Sequence, residues 1–245
     1  MKPRISLAPV NPSRSSIPAF LLAVALLVII VAPTGDAFAG APDSAAAWTA
    51  EGNVNGIAIH SRIRSGSSFK EFRGSGVIDA PPAAVFAVLD DSEAYPQFMP
   101  YTAQCRVLKR EKDSVVAYQR LELPLVSDRD YTLRSESAKW LGPDGAIFRI
   151  RWEPANNLGP APTAGVLRVN VCEGGWLLEP QGDSATRATY TIYTDSGGTI
   201  PAMLANNGSK VAIRKVFEAI RRQVKDPKYS SVTPANADAR SHGAP

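Results

Sequence analysis

The sequence predicts an α+β fold in which a run of antiparallel strands is bracketed by helices. Three observations carry this. Between Cys105 and Thr194, short apolar stretches alternate with turn clusters at strand spacing. A helix start, Asp79-Ala80-Pro81-Pro82, precedes that run. A long amphipathic stretch, about Ile200 to Val224, follows it. Strands bracketed by helices, rather than alternating with them, exclude parallel βαβ units.

At the N-terminus, Lys2, Arg4 and Arg14 precede an uninterrupted apolar run of 14 residues, Ala19 to Ala32, and Ala37-Phe38-Ala39 then offers the small-x-small pattern that a signal peptidase reads. A spanning helix needs roughly 20 apolar residues. Residues 1–39 therefore read as a signal peptide, with a membrane anchor as the competing reading, and the protein as one secreted across an inner membrane into the periplasm. Cleavage removes three basic residues and Asp36, which lowers the formal charge from +4 to +2. The remaining 206 residues suffice for a single domain with its own core. That domain is expected over residues 45–225. Residues 226–245, rich in Pro, Ala, Ser and Asp and without apolar periodicity, read as a disordered tail.

Within the domain, Ser44 to Thr49 reads as a short helix. Gly56 to Arg64 and Phe69 to Ile78 form a hairpin around Ser65-Gly66-Ser67. The helix opened by Pro81-Pro82 ends at Asp90-Asp91-Ser92, and Pro96 confines the next one to a turn or two. Strands are then expected at Cys105–Arg110, Val115–Leu123, Tyr131–Ser137, Ala146–Trp152, Val166–Leu178 and Ala188–Thr194. Asp195 to Thr199 breaks the sheet before the last helix, whose apolar stripe is Ile200, Leu204, Val211, Phe217, Ile220 and Val224. Asn206-Asn207-Gly208-Ser209 interrupts that stripe, and a glycine there costs about 1 kcal/mol relative to Ala. The interruption reads as a soft spot or as close packing against another backbone.

Several chemistries are poorly supplied. Cys105 and Cys172 lie far apart in predicted strands without CxxC spacing, so free buried thiols are expected and no zinc site. With only His60 and His242, a Ser-His or Cys-His catalytic pair has almost nothing to build on. No basic arm for nucleic acid is present. Arg214-Lys215 and Arg221-Arg222 read as a solvated helix face, with a transient contact to anionic membrane as the functional alternative. A monomer without metal or cofactor is expected.

Five pieces in order, Lys70-Glu71-Phe72-Arg73-Gly74, Val77-Ile78-Asp79-Ala80-Pro81-Pro82, Ser127-Asp128-Arg129-Asp130-Tyr131, Gly174-Gly175-Trp176 and Gly197-Gly198-Thr199-Ile200-Pro201, resemble the bacterial START (StAR-related lipid transfer) domains of the START/Bet v 1-like superfamily. The resemblance spans about residues 48–225. It implies a helix-grip fold, a curved antiparallel sheet wrapped around a long C-terminal helix, with an internal apolar cavity. It also implies binding and transfer of a lipid or other apolar small molecule, sterol-, hopanoid-, quinone- or acyl-lipid-like, with no reaction. Tyr95-Pro96-Gln97-Phe98-Met99-Pro100 is similar to coenzyme Q-binding and polyketide-cyclase-like relatives, which keeps a cyclase- or hydrolase-like enzyme and a coenzyme Q-binding chaperone as alternatives.

Strand alternation gives the expected cavity lining. Phe148, Ile150 and Trp152 share one face, opposite Arg149, Arg151 and Glu153. Leu167, Val169 and Val171 share another, opposite Arg168 and Asn170. By the same rule Tyr131 and Leu133 point inward with Arg134 outward, and Ala117, Gln119, Leu121 and Leu123 inward with Arg120 and Glu122 outward. Gln119 and the tyrosine hydroxyls are the expected polar anchors. Tyr190 and Ile192 on the last strand, and Met203, Leu204, Asn207 and Val211 on the last helix, complete the expected ligand-contacting set. START lipid-binders carry a cavity Arg five residues after the Asp of an Arg-Asp-aromatic motif. Here Arg134 follows Asp130 by four, which turns it to the opposite face. Ser127-Asp128-Arg129-Asp130 reads as a structural turn.

Overall fold

Paired prolines fix the first helix. Pro81 is extended and Pro82 opens α1 (Pro82–Asp90), because a first-turn proline lacks only an N–H that would have no helical partner. Ala83, Ala84, Val85, Phe86, Val88 and Leu89 are all buried, so α1 is a helix of the interior. Its Phe86 ring stacks on Phe148 with centroids 5.0 Å apart. The computed structural model describes residues 47–124, 126–195, 202–230 and 232, and only the backbone of Ala202 and Leu204. The predicted signal peptide and Ser196–Thr199 of the expected break before the last helix lie outside these residues.

Three strands precede α1: β1 (Thr49–Val54), β2 (Ile57–Ile63) and β3 (Lys70–Ile78). After α1 come a 3-10 turn, Ser92–Ala94, and the one-turn α2 (Tyr95–Phe98). The chain then runs through β4 (Thr102–Arg110), β5 (Ser114–Leu121), β6 (Arg129–Gly142), β7 (Gly145–Pro154), β8 (Leu167–Arg168), β9 (Val171–Gln181) and β10 (Ala185–Asp195). It ends in α3 (Ala202–Gln223) and α4 (Pro227–Ser230). The strands form one sheet in the order β1-β2-β3-β10-β9-β7-β6-β5-β4, antiparallel throughout, with β8 pairing parallel to β6 off that path. The sheet curves around α3, whose Ile213, Phe217 and Ile220, with Val224 just past its end, enter the main core with Ile57, Phe72, Ile78 and Trp176. Close seating of α3 depends on Gly74 of β3, where a Cβ would fall 2.5 Å from Ile213 Cγ2.

Four expectations need correction. Ser44 to Thr49 is not a helix through its end, because Thr49 opens β1; the strand is exposed on both faces and so has no period-two signature. It is held by pairing to β2 and by Glu51, which accepts from Lys70 Nζ at 2.8 Å and from Lys210 Nζ of α3 at 3.1 Å. The predicted strand Val166–Leu178 is two, because the chain leaves β8 after Arg168 and starts β9 at Val171. The predicted tail is not wholly disordered: α4 is capped by Asp226 Oδ1, which accepts from Lys228 N at 2.8 Å. Tyr229 and Val232 are buried, and Tyr229 Oη donates to Asp91 Oδ2 at 2.7 Å. Finally, Gly208 does not pack closely on another backbone, since a Cβ on it would meet nothing within 4 Å.

Candidate functional site

Between the concave face of the sheet, the α1–α2 corner and α3 lies a cavity of about 470 Å3. Its long wall is β6, where the period of two brings Arg129, Tyr131, Leu133, Ser135 and Ser137 to one face. Ala117, Gln119 and Leu121 of β5, with Leu123 beyond it, form the adjoining strip. Ile150 and Trp152 of β7, and Trp176, Tyr190 and Ile192 of the next strands, close the opposite side. Trp152 lies flat against Gly174, where a Cβ would stand 2.5 Å from its Cζ2, so the glycine is what lets the indole reach the wall.

Eight predicted lining residues are where alternation puts them: Gln119, Tyr131, Leu133, Ile150, Trp152, Val169, Tyr190 and Ile192. Others are not. Phe148 has the right face but lies too far along β7, and fills the core against Phe86. Leu167 packs against the cluster of Leu133, Val169 and Cys172 but does not itself line the cavity. Val171 is replaced by Cys172, because the break between β8 and β9 shifts the alternation by one residue. On α3 the lining face is Ala205, Gly208, Ser209, Ala212 and Val216. Met203, 70% exposed, Asn207 and Val211 point away from it. The helix thus has two apolar faces, bulky where it fills the core and small where it roofs the cavity; the large residues alone gave the wrong phase. The Leu204 side chain is outside the described residues.

The polar groups fall into two sets. Satisfied groups include Tyr131 Oη, which donates to Gln119 Oε1 at 3.1 Å, and Tyr95 Oη, which donates to Leu89 O at 2.6 Å. The free surfaces of Tyr131 and Tyr190 open into the cavity, and desolvation pushes both hydroxyls, and that of Tyr95, well above the ordinary phenol range. Burial likewise pushes the free thiols Cys105 and Cys172 up to about 12. At the rim, Arg110 Nη1 donates to both Asp90 carboxylate oxygens at 3.0 and 2.9 Å.

The second set is buried without a hydrogen-bond partner among the described residues: Ser92 Oγ and Arg129 Nε, each from a lining residue, while Trp152 Nε1 is buried facing the Cys172 thiol. Arg129 was missed by treating residues 127–130 as one structural turn. The two aspartates do serve structure. Asp128 accepts from Arg120 Nε at 2.7 Å, and Asp130, 1% exposed, accepts from Arg168 Nε at 2.7 Å, Arg168 Nη2 at 3.0 Å and Tyr118 Oη at 3.2 Å. Arg129, two residues before Tyr131, simply continues its inward face, so the alternation rule that placed Tyr131 would have found it. Arg134 is exposed, as its phase predicts.

Residues 78–221 match the family described as polyketide cyclase/dehydrase and lipid transport. The chain belongs to that family. The fold agrees. A StAR-related lipid transfer protein from Xanthomonas axonopodis superposes with a TM-score of 0.66 at 28% identity, over 73% of this chain and 99% of that one. Human StAR-related lipid transfer protein 5 shares the fold with a TM-score of 0.64 at 17% identity, over 74% and 87% of the two chains. An uncharacterized protein of Pseudomonas aeruginosa is 28% identical over 166 residues, 65% of this chain and 78% of that protein. The helix-grip START-like architecture is therefore that of this family member.

Proposed function

We propose that this protein is a lipid carrier of the periplasm, exported after cleavage near Ala39, which holds one apolar molecule in the cavity and passes it between membranes as a monomer without changing it. The observation that carries this reading is the cavity of about 470 Å3 between the sheet, the α1–α2 corner and α3. Protein cores close to crystal-like density, and an empty apolar space forfeits stability roughly in proportion to its volume. Its size falls within the roughly 300–1,000 Å3 of small-molecule sites. The buried titratable groups on its wall favour carriage over chemistry: the tyrosines and Cys172 stay protonated at neutral pH, Asp90 is engaged by Arg110, and the remaining carboxylates, Asp113 and Glu136, are exposed. A general base needs a pKa near the working pH. The name of the Xanthomonas relative, a lipid transfer protein, supports the same reading.

Entry is proposed through the roof. The first half of α3 covers the cavity with small side chains, while its second half is anchored by Ile213, Phe217 and Ile220. The experiment is transfer of a fluorescent acyl lipid between donor and acceptor vesicles, with extraction of the cargo afterwards. Accelerated transfer with cargo recovered intact is expected. A disulfide tethering the first half of α3 to the facing wall should slow transfer until it is reduced. Hydrolysed or cyclised cargo would replace the carrier reading with an enzymatic one.

A further inference from the structure

Three arginines and two aspartates converge around the start of β6, and among the described residues the pairing leaves one cation over. Arg168 holds Asp130 through two bonds and Arg120 holds Asp128. Arg129 is 4% exposed, and its recorded hydrogen bond runs from Nη1 to the backbone carbonyl of Ser127. Its Nε is buried without a partner among the described residues, and Arg129 forms part of the cavity wall. Burying a guanidinium with so little compensation is costly, and such groups are ordinarily paired. A planar fork of donors matches the two oxygens of a carboxylate or phosphate.

Position adds the second constraint. Arg129 stands at one end of the row Arg129, Tyr131, Leu133, Ser135 and Ser137, all lining the cavity. Eight residues of strand separate its ends, about 26 Å at the usual rise. Beyond Arg129 the buried wall is apolar or neutral, with Ser92 Oγ as a neutral donor, and the carboxylates Asp113 and Glu136 stand exposed at the far end beside Ser137.

We propose that the ligand is a long, single-headed amphiphile whose anionic head, a carboxylate or a phosphate, pairs with Arg129 while its apolar body lies along β6. This rests on the carrier reading and narrows its cargo to acidic lipids.

The test is calorimetric titration of purified, delipidated protein with oleate, oleoyl lysophosphatidate, oleyl alcohol and inorganic phosphate. One or both anionic lipids should bind about tenfold or more tighter than the alcohol, the size of a charge-assisted hydrogen bond. Whichever binds tighter names the head, and phosphate alone should not bind measurably. In Arg129→Met the preference should disappear while the alcohol binds as before. Because an uncompensated buried cation is being removed, the thermal midpoint of the lipid-free variant should not fall, whereas a structural arginine would lower it. Arg129→Lys, keeping the charge without the fork, should retain part of the preference and serves if the methionine variant does not fold.

Equal affinity for oleate, lysophosphatidate and alcohol in the wild type would overturn the anionic head and leave the carrier reading standing. So would a preference that survives Arg129→Met. Tight binding of inorganic phosphate alone would overturn the amphiphile, and failure of every lipid to bind would overturn the carrier reading with it.

Discussion

Two glycine substitutions on either side of the same helix should move stability in opposite directions. Gly208 lies over the cavity in the first half of α3, and a Cβ there would meet no heavy atom within 4 Å. Ala in its place removes a helix penalty of about 1 kcal/mol and displaces nothing. Gly74 lies beneath the anchored half, where a Cβ would sit 2.5 Å from Ile213 Cγ2 and 3.3 Å from Phe217 Cε2. Both side chains are buried, so α3 must lift or the side chains must leave their rotamers, and such overpacking costs about 1–3 kcal/mol. In a domain of this size 1 kcal/mol shifts the thermal midpoint by about 2–4 °C. Gly208→Ala should therefore raise the midpoint by about 2–4 °C and Gly74→Ala lower it by about 2–12 °C. Scanning calorimetry reads both shifts, and urea unfolding with an unchanged slope would attribute them to stability. If Gly208→Ala destabilises the protein, its surroundings are filled and the open space beneath the roof is wrong.

Three further outcomes follow from the structure. Trp152→Arg should abolish lipid uptake by placing a charge in the apolar wall, while Arg151→Ala on the outer face should spare it; equal losses in a binding assay would show the strand phase to be wrong. Arg168→Met strips Asp130, 1% exposed, of its bidentate partner and should cost about 3–5 kcal/mol in urea unfolding; a loss below about 1 kcal/mol would make the pair no better than a surface one. Glu51, bonded to Lys70, Ser61 and Lys210, has its pKa held down from 4.5 to about 2, so it contributes stability above pH 4.5 that fades as pH falls towards 2. Thermal midpoints of the wild type and Glu51→Gln should accordingly differ at pH 6 and converge near pH 2, and a constant gap would exclude this ionisation as the cause.

Much of the fold was legible because its signals are local. Pro81-Pro82 marks a helix start wherever it falls, and the apolar–charged alternation of Phe148 to Glu153 allows one inward face. The strip Ala117, Gln119, Leu121 and Leu123 lines the cavity for the same reason. What failed depended on partners distant in sequence. The edge strand β1 carries no pattern of its own because neither face is buried. Val171 was misplaced because Asn156, 15 residues earlier, holds the break open, its Oδ1 accepting from Thr132 N at 2.8 Å and its Nδ2 donating to Val169 O at 2.8 Å. Tyr229 drew no notice as a lone aromatic in a polar tail, since its acceptor, Asp91, stands at the far end of α1. On α3, periodicity gave a single apolar stripe, whereas the division between bulky core residues and small roofing residues reflects the hollow beneath, which no local pattern records.

The central claim, that the cavity carries one amphiphile and leaves it unaltered, is met most directly by native mass spectrometry of protein purified from the periplasm without delipidation. One bound molecule per protein is expected, released with its covalent structure unchanged after prolonged incubation and missing from folded Trp152→Arg. Wild-type protein that carries no molecule and takes none up from vesicles, or one that converts its cargo to a new product, would contradict the account.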